Sequence, residues 1–363
     1  MESTQKIDLS FRGEILESAE GADGVAWAAF EAKSALKKVY IKHASLGENE
    51  IRINVTYTGI CQSDVSVIDQ KIPGMGIYPM IAGHEIIGRV YQAGRKVDNL
   101  QAGDLVGVGP LRDCCEKCDY CAWGRENLCT GRPMKFTITP WFGGFATSVQ
   151  IPKTYVFKIP DGIPESLAPP LMCAGGTVYA PLRRHGKIGG KVAIIGMGGL
   201  GHLAVQFASK MGMKTYALSS SNSKKESIMK LGAHDYVNWS DEEQKKNFLS
   251  QKIDVILNTS GIGDFTEYMR ALKKGSGVFV QIGGPESEVK LSVVEILFNE
   301  WSLAGSAAAS RDDMKNMLEF SATNDVKSIN EVFDFENFNA AYERTKKGAN
   351  FRVVVDLTAY NWK

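Results

Sequence analysis

Lys191-Val192-Ala193-Ile194-Ile195-Gly196-Met197-Gly198-Gly199-Leu200-Gly201-His202 decides how this chain is organised. Apolar residues of buried-strand character run into a glycine turn, and residues 200–211 then carry the periodicity of a helix. The glycines stand in G-x-G-x-x-G spacing, and each has its own physical task. Gly196 permits the tight turn, Gly198 lets the backbone approach a pyrophosphate, and Gly201 lets the helix pack closely on the strand. The helix N-terminus adds amide donors and the positive end of a dipole. A strand before and a helix after are the context in which this spacing reads as a dinucleotide site rather than a ligand-free turn.

Beyond that stretch, apolar strands at 215–218, 254–258 and 278–282 alternate with amphipathic helices, the pattern of a parallel sheet covered by helices. Up to about residue 160 the rhythm differs: short alternating strands such as 51–57 are separated by glycine and proline turns, which predicts a β-rich lobe. After Arg311, helical segments at 312–324 and 337–346 and a strand at 351–357 are expected to return to that first lobe. A length of 363 residues suits about two domains.

The formal net charge is +1 with acids and bases interspersed, so electrostatics favours neither nucleic acid nor an anionic membrane as partner. No stretch reaches the ~18 apolar residues of a membrane span. Residues 1–8 are polar and carry acids, unlike a secretory leader, so a cytoplasmic location and a small-molecule partner are expected.

The second strand of the α/β region ends in Leu218-Ser219-Ser220-Ser221-Asn222-Ser223-Lys224-Lys225. An enzyme using NAD places Asp or Glu here to hold the ribose diol, and no acid occurs before Glu226. Hydroxyls and an ammonium suit a 2′-phosphate that a carboxylate would repel, so the cofactor expected is NADP. Read without a ligand, Lys224 and Lys225 are a solvated first helical turn.

Five of the seven cysteines fall between residues 114 and 129. Cys115, Cys118, Cys121 and Cys129, spaced x2, x2 and x7, can surround one tetrahedral zinc from a single loop, a closed shell that stiffens rather than catalyses. Cys115 continues the three-residue register and is assigned in preference to Cys114, although a one-residue shift would exchange them. A disulfide set is the alternative; the odd count in a large chain speaks for metal. Cys61, His84 and Cys173 are dispersed, and taken singly they read as core thiols and a hydrogen-bonded histidine.

Taken together, Gly59-Ile60-Cys61-Gln62-Ser63-Asp64, Ala82-Gly83-His84-Glu85, the four-cysteine lobe, Leu171-Met172-Cys173-Ala174-Gly175, the 196–202 turn and Ser219-Ser220-Ser221 resemble the zinc-dependent medium-chain alcohol dehydrogenases. Within that family the likeness is greatest to the cinnamyl alcohol dehydrogenase type of NADP-dependent aldehyde reductase, and it covers nearly the whole chain. The resemblance implies an α/β fold. A GroES-like β-rich catalytic domain would span 1–172, a Rossmann doubly wound parallel-sheet domain 173–310, and a C-terminal segment, 311–363, would return to the first.

It further implies two zinc ions, with Cys61, His84 and Cys173 holding the catalytic one and leaving a fourth place for substrate oxygen. Glu85 would stand beside that metal or ligate it transiently, Asp64 would orient His84, and Ser63 would hydrogen-bond the substrate oxygen and pass a proton. Gly196, Gly198, Gly199, Leu200, Gly201, Ser219, Ser220, Ser221, Lys224, Thr177 and Arg352 would meet NADP. The reaction would be hydride transfer between NADP(H) and a primary alcohol or aldehyde, aromatic or medium-chain, walled by Met80, Phe136, Trp141, Phe142, Leu297 and Phe298. A homodimer is the family expectation, and the last sheet strand around residues 301–307 is a candidate contact.

Two positions depart from the family pattern: Ser66 stands where relatives carry a proton-relaying histidine, and Gln62 where they carry histidine or arginine. Other classes stay in view. A non-catalytic zinc-stabilised relative would not need Cys61, His84 and Cys173 together, and a same-fold enone or quinone reductase lacks both metal sets. A polyol dehydrogenase replaces the third cysteine by a carboxylate, which Cys173 disfavours.

Overall fold

The computed structural model describes residues 10–72, 74–131, 135–284 and 288–362. The chain divides into two compact units, one made of the residues up to Cys173 together with those from Asn330 onward, the other of Ala174–Ile329. Among the described residues no helix is long and apolar enough to cross a membrane.

The first unit is built on a strand, Glu50–Ile60, whose Ile51, Ile53 and Val55 point into the core while Arg52 and Asn54 do not. That period of two is what a half-buried strand requires. It pairs antiparallel with Glu85–Ala93, Ser148–Pro152 and Arg352–Asp356, and the sheet extends through Leu105–Val108 to Val156–Lys158 on one side and to Asn330–Asp334 on the other. Strand Arg352–Asp356 thereby brings the end of the chain into the sheet that carries Gly59 and Glu85.

A buried histidine in this unit has a measurable consequence. His43 Nε2 is 2.8 Å from Ser148 Oγ, and its backbone N–H donates to Asp23 Oδ2 at 2.8 Å. Burial, which removes the water that would solvate an imidazolium, pushes His43 from the ordinary 6.5 down to about 4. Between those values the unfolded chain binds the proton and the folded one does not, so stability rises with pH across that window and is lost as pH falls through it. The full effect is of the order of 3 kcal/mol. His43→Gln is expected to flatten the fall of Tm between pH 6.5 and 4 relative to wild type; parallel profiles would refute this account.

The second unit carries a six-stranded parallel sheet in the order Asp235–Asn238, Lys214–Ser219, Lys191–Ile195, Val255–Asn258, Val278–Gln281, Ser302–Gly305. Numbered along the sheet's own sequence this is 3-2-1-4-5-6, the doubly wound dinucleotide-binding order. Its first strand is apolar throughout from Val192 to Ile195 because helices cover both faces. Ile195, Tyr216, Leu218, Phe248, Ile256, Phe265 and Phe279 form one core, with Phe265 and Phe279 stacked at 4.5 Å between centroids. Each fully buried phenylalanine contributes about 1.5–3 kcal/mol.

Helix Arg311–Asn324 belongs to this second unit, whereas the change of rhythm at Arg311 had suggested a return to the first. Ser310 Oγ caps it by accepting from Asp313 N at 3.1 Å, and Met314, Met317 and Leu318 are buried. Arg183, on helix Ala174–His185, donates to Asp312 at 2.7 Å and to Asp313 at 3.1 Å. An apolar stripe shows that a helix is covered without showing by which partner, so the boundary falls after Ile329 rather than after residue 310.

Candidate metal and dinucleotide sites

Sulfur atoms of Cys115, Cys118, Cys121 and Cys129 converge within 4.8 Å of one another. The separations are 4.0 Å for Cys115–Cys121, 3.6 Å for Cys118–Cys121 and 3.9 Å for Cys118–Cys129. A tetrahedral ion with bonds of about 2.3 Å has edges of about 3.8 Å, so the quartet fits zinc. Backbone amides stabilise the sulfurs: Cys115 N donates to Cys129 Sγ and Cys118 N to Cys115 Sγ, each at 3.3 Å. Amides of Cys121 and Thr130 pull the Cys118 thiol down to about 5. Cys114 lies outside the quartet, and all seven cysteines are free thiols.

The second group, Cys61, His84, Glu85 and Cys173, is assembled from three separate parts of the first unit. Cys61 precedes helix Gln62–Ile68, His84 and Glu85 enter strand Glu85–Ala93, and Cys173 closes the 3-10 turn Pro169–Met172. Asp64, fully buried, ties the parts together. Its Oδ2 accepts from Cys61 N at 2.9 Å, and its Oδ1 accepts from Gly83 N at 3.0 Å and from His84 Nδ1 at 2.9 Å. With Nδ1 committed, the imidazole presents Nε2, which lies 3.2 Å from Cys173 Sγ.

The charges are set by mutual contact. A hydrogen bond from Cys173, helped by Arg352 and His84, holds the Cys61 thiol well below the usual range, while the same contact and burial raise Cys173. Burial alone would lower His84, but Asp64 and Cys61 raise it well above 6.5. A metal entering here displaces those protons. Glu85 Oε1 pairs with Arg352, yet burial still raises its carboxyl to about 7, and Oε2 has no hydrogen-bond partner among the described residues. Two thiols and one imidazole fit a zinc ion with one position left over, and the orphaned buried carboxylate oxygen of Glu85 stands beside that position. Gly59 makes this possible, because a Cβ there would fall 2.1 Å from Glu85 Oε2.

Ser63, exposed, has its hydroxyl 3.6 Å from Cys61 Sγ. Ser66 lies on the same helix and is half-buried.

In the second unit the glycine turn meets a steric test. Gly196 has φ +90°, a Cβ on Gly201 would lie 1.9 Å from Gly196 O, and a Cβ on Gly198 would meet nothing within 4 Å. The first suits the turn, the second the close helix packing, and the third leaves open backbone where a pyrophosphate would lie. Gly199 and Leu200 complete the turn before helix Gly201–Lys210. Ser219 ends strand Lys214–Ser219, Ser220 and Ser221 follow exposed, and Lys224 Nζ donates to Met197 O in the glycine turn at 2.9 Å. Thr177 is in the first turn of helix Ala174–His185.

The Arg352 guanidinium is engaged by Glu85, as a fully buried cation requires. Trp141 and Phe142 wall a pocket with Phe11, Arg12, His43, Arg112 and Gln150, a lining that includes none of the metal-binding group. Leu297 and Phe298 are 68% and 85% exposed. The Arg112 pocket and the role of Gly59 escaped the sequence reading; Gly59 stood in a quoted motif, but its partner Glu85 is 26 residues away and only strand pairing joins them.

Fold and site thus define a zinc-binding oxidoreductase with a dinucleotide-binding unit. Residues 47–161 match the alcohol dehydrogenase GroES-like domain and residues 199–323 the zinc-binding dehydrogenase domain. The chain is 37% identical to NADP-dependent alcohol dehydrogenase C 1 of Mycolicibacterium smegmatis, covering 92% of this chain and 98% of that protein. It is 34% identical to cinnamyl alcohol dehydrogenase 2 of Rauvolfia serpentina, over 91% and 94%. A cinnamyl alcohol dehydrogenase structure from Sorghum bicolor superposes with a TM-score of 0.87 at 31% identity, covering 94% of this chain and 99% of that one. The chain belongs to the zinc-binding alcohol dehydrogenase family.

Proposed function

We propose that this protein interconverts a primary alcohol and its aldehyde with NADP(H), binding two zinc ions per chain. The observation that carries this reading is the Cys61, His84 and Cys173 group, with Asp64 fixing the imidazole so that Nε2 faces the thiols. Zinc held there supplies a Lewis acid for a carbonyl oxygen, and NADPH supplies the hydride. The chain's own residues then have defined tasks. Asp64 keeps His84 Nδ1 protonated and its ring oriented. Arg352 balances the buried Glu85 carboxylate. Ser63 holds and passes the proton of the substrate hydroxyl; Ser66, one helical turn on, can relay a proton but cannot store one near neutral pH. The cysteine quartet holds the structural ion.

For NADP the support is the absence of a carboxylate from Ser219 to Ser223, the ammonium of Lys224 at the glycine turn, and relatives named for that cofactor. An aromatic, cinnamyl-type or medium-chain aldehyde is the substrate class favoured, on the strength of relatives named cinnamyl alcohol and 8-hydroxygeraniol dehydrogenase. Free thiols in metal-binding sets fit a reducing cytoplasm. The test is steady-state reduction of cinnamaldehyde and benzaldehyde with NADPH and NADH by protein of measured zinc content. Turnover confined to NADH, or undiminished after zinc removal, would overturn the reading.

The quaternary reading is a homodimer. Helix Val293–Asn299 exposes Val293, Val294, Leu297 and Phe298, and strand Ser302–Gly305 ends its sheet with Leu303 half-exposed. Unpaired edges and contiguous apolar side chains call for cover. Phe298→Asp is expected to shift light-scattering mass from dimer to monomer; an unchanged mass would mean the contact lies elsewhere.

A further inference from the structure

We propose that the pocket lined by Arg12, His43, Arg112, Trp141, Phe142 and Gln150 binds one small monovalent inorganic anion of the chloride class. The pocket encloses about 220 Å3 of atom-free space, solvent at its mouth included, and its inner part has room for one particle of water size. Arg112 is the reason to expect an occupant. Its residue is 2% exposed, yet the Nε and Nη1 hydrogens meet no described acceptor. Among the described residues only Nη2 is used, donating to Gln150 O at 2.5 Å, while the face of Trp141 covers the guanidinium carbon at 4.0 Å. Arginine does not shed its proton readily, so these donors and their charge persist inside the protein.

Most acceptors around the pocket are already engaged. Gln150 O receives Arg112 Nη2, Gln150 Oε1 receives Arg52 Nε at 2.9 Å, and Pro140 O receives Arg12 Nη1 at 2.9 Å. Glu50 Oε1 stands 4.0 Å from Arg112 Nη2, beyond hydrogen-bond reach, and Glu50 Oε2 accepts from Gly47 N and Gln150 Nε2. Ser148 spends its hydroxyl proton on Asp23 O at 3.1 Å, so His43 Nε2 is the donor in their contact. What the lining offers is therefore mostly N–H donors and positive charge, with two guanidiniums and no carboxylate in the wall, against the one ring acceptor of neutral His43, its Nδ1. A water placed there would find donors for its oxygen and few acceptors for its hydrogens. A halide only accepts, and it also offsets the buried charge. Burial, opposed in part by Glu50 and Asp113, pushes Arg112 down to about 9, which agrees with a guanidinium short of counter-charge.

Crystals of the zinc-loaded protein soaked in sodium bromide test this directly. An anomalous peak within about 3.5 Å of Arg112 Nε or Nη1 is expected; an ordered water at that position with no bromide signal would overturn the proposal. In solution, replacing sodium gluconate by sodium chloride at equal ionic strength should raise Tm by about 2 °C, and Arg112→Gln should abolish the difference. A chloride effect of equal size in Arg112→Gln would overturn it too. Should that variant fail to fold, the bromide measurement on the unmodified protein still decides.

Discussion

Replacing Cys173 by alanine is expected to lower kcat/KM for aldehyde reduction by NADPH about 1,000-fold or more and, on the proposed reading of two zinc ions per chain, to cut bound zinc to one. The argument begins with the donor set. Removing Cys173 Sγ takes away one of two thiols and the partner that hydrogen-bonds Cys61 and lies 3.2 Å from His84 Nε2. Glu85 cannot simply replace it, because Arg352 engages one of its oxygens and the other lies close against the Gly59 backbone. Two remaining ligands bind zinc too weakly to survive purification, and the Lewis acid leaves with the ion. Losing about 4 kcal/mol of transition-state stabilisation corresponds to the stated factor. The cysteine quartet shares no residue with this group, so the structural ion and the fold are expected to remain. Metal analysis beside steady-state kinetics checks both halves. A variant that keeps two zinc ions and wild-type turnover would remove Cys173 from the site.

How much of this was readable beforehand depended on whether a residue's task is local. The 196–202 turn could be read because strand, turn and helix are consecutive, and the same holds for the quartet within residues 115–129. The dispersed group was legible only through family likeness. Cys61, His84 and Cys173 come from a helix start, a strand start and a turn end, which no spacing rule connects. Docking was the other blind spot. Helix 311–324 was legible as a helix, but its packing beside Ala174–His185 depends on Arg183 meeting Asp312 and Asp313, more than a hundred residues away. Arg112 illustrates the limit best: nothing in Leu-Arg-Asp at 111–113 says that this arginine points inward against Trp141 rather than into solvent.

Ser219→Asp is expected to lower the ratio of kcat/KM with NADPH to that with NADH by about 1,000-fold. Ser219 closes the second strand of the parallel sheet, hydrogen-bonded in register with Asn238, and is where a doubly wound dinucleotide site reaches the adenosine ribose. A carboxylate there would sit beside the 2′-phosphate. Two unit charges at about 4 Å in surroundings of effective dielectric about 20 repel by about 4 kcal/mol, which sets the scale of the loss with NADPH. The same carboxylate can accept both ribose hydroxyls of NADH, so part of the change is a gain. Lys224 works in the same direction before substitution: its ammonium, resting 2.9 Å from Met197 O, is already beside the glycine turn and needs only to exchange that carbonyl for a phosphate oxygen. The loop geometry should survive, because Tyr236 OH donates to Ser221 O at 2.6 Å and Ser240 Oγ to Ser220 O at 3.0 Å, contacts that do not involve the Ser219 hydroxyl. Steady-state kinetics with each cofactor at fixed aldehyde measures the ratio. If it stays at the wild-type value while the variant remains folded and zinc-loaded, the hydroxyl run does not read the ribose, and selection for NADP has to be sought at Lys224.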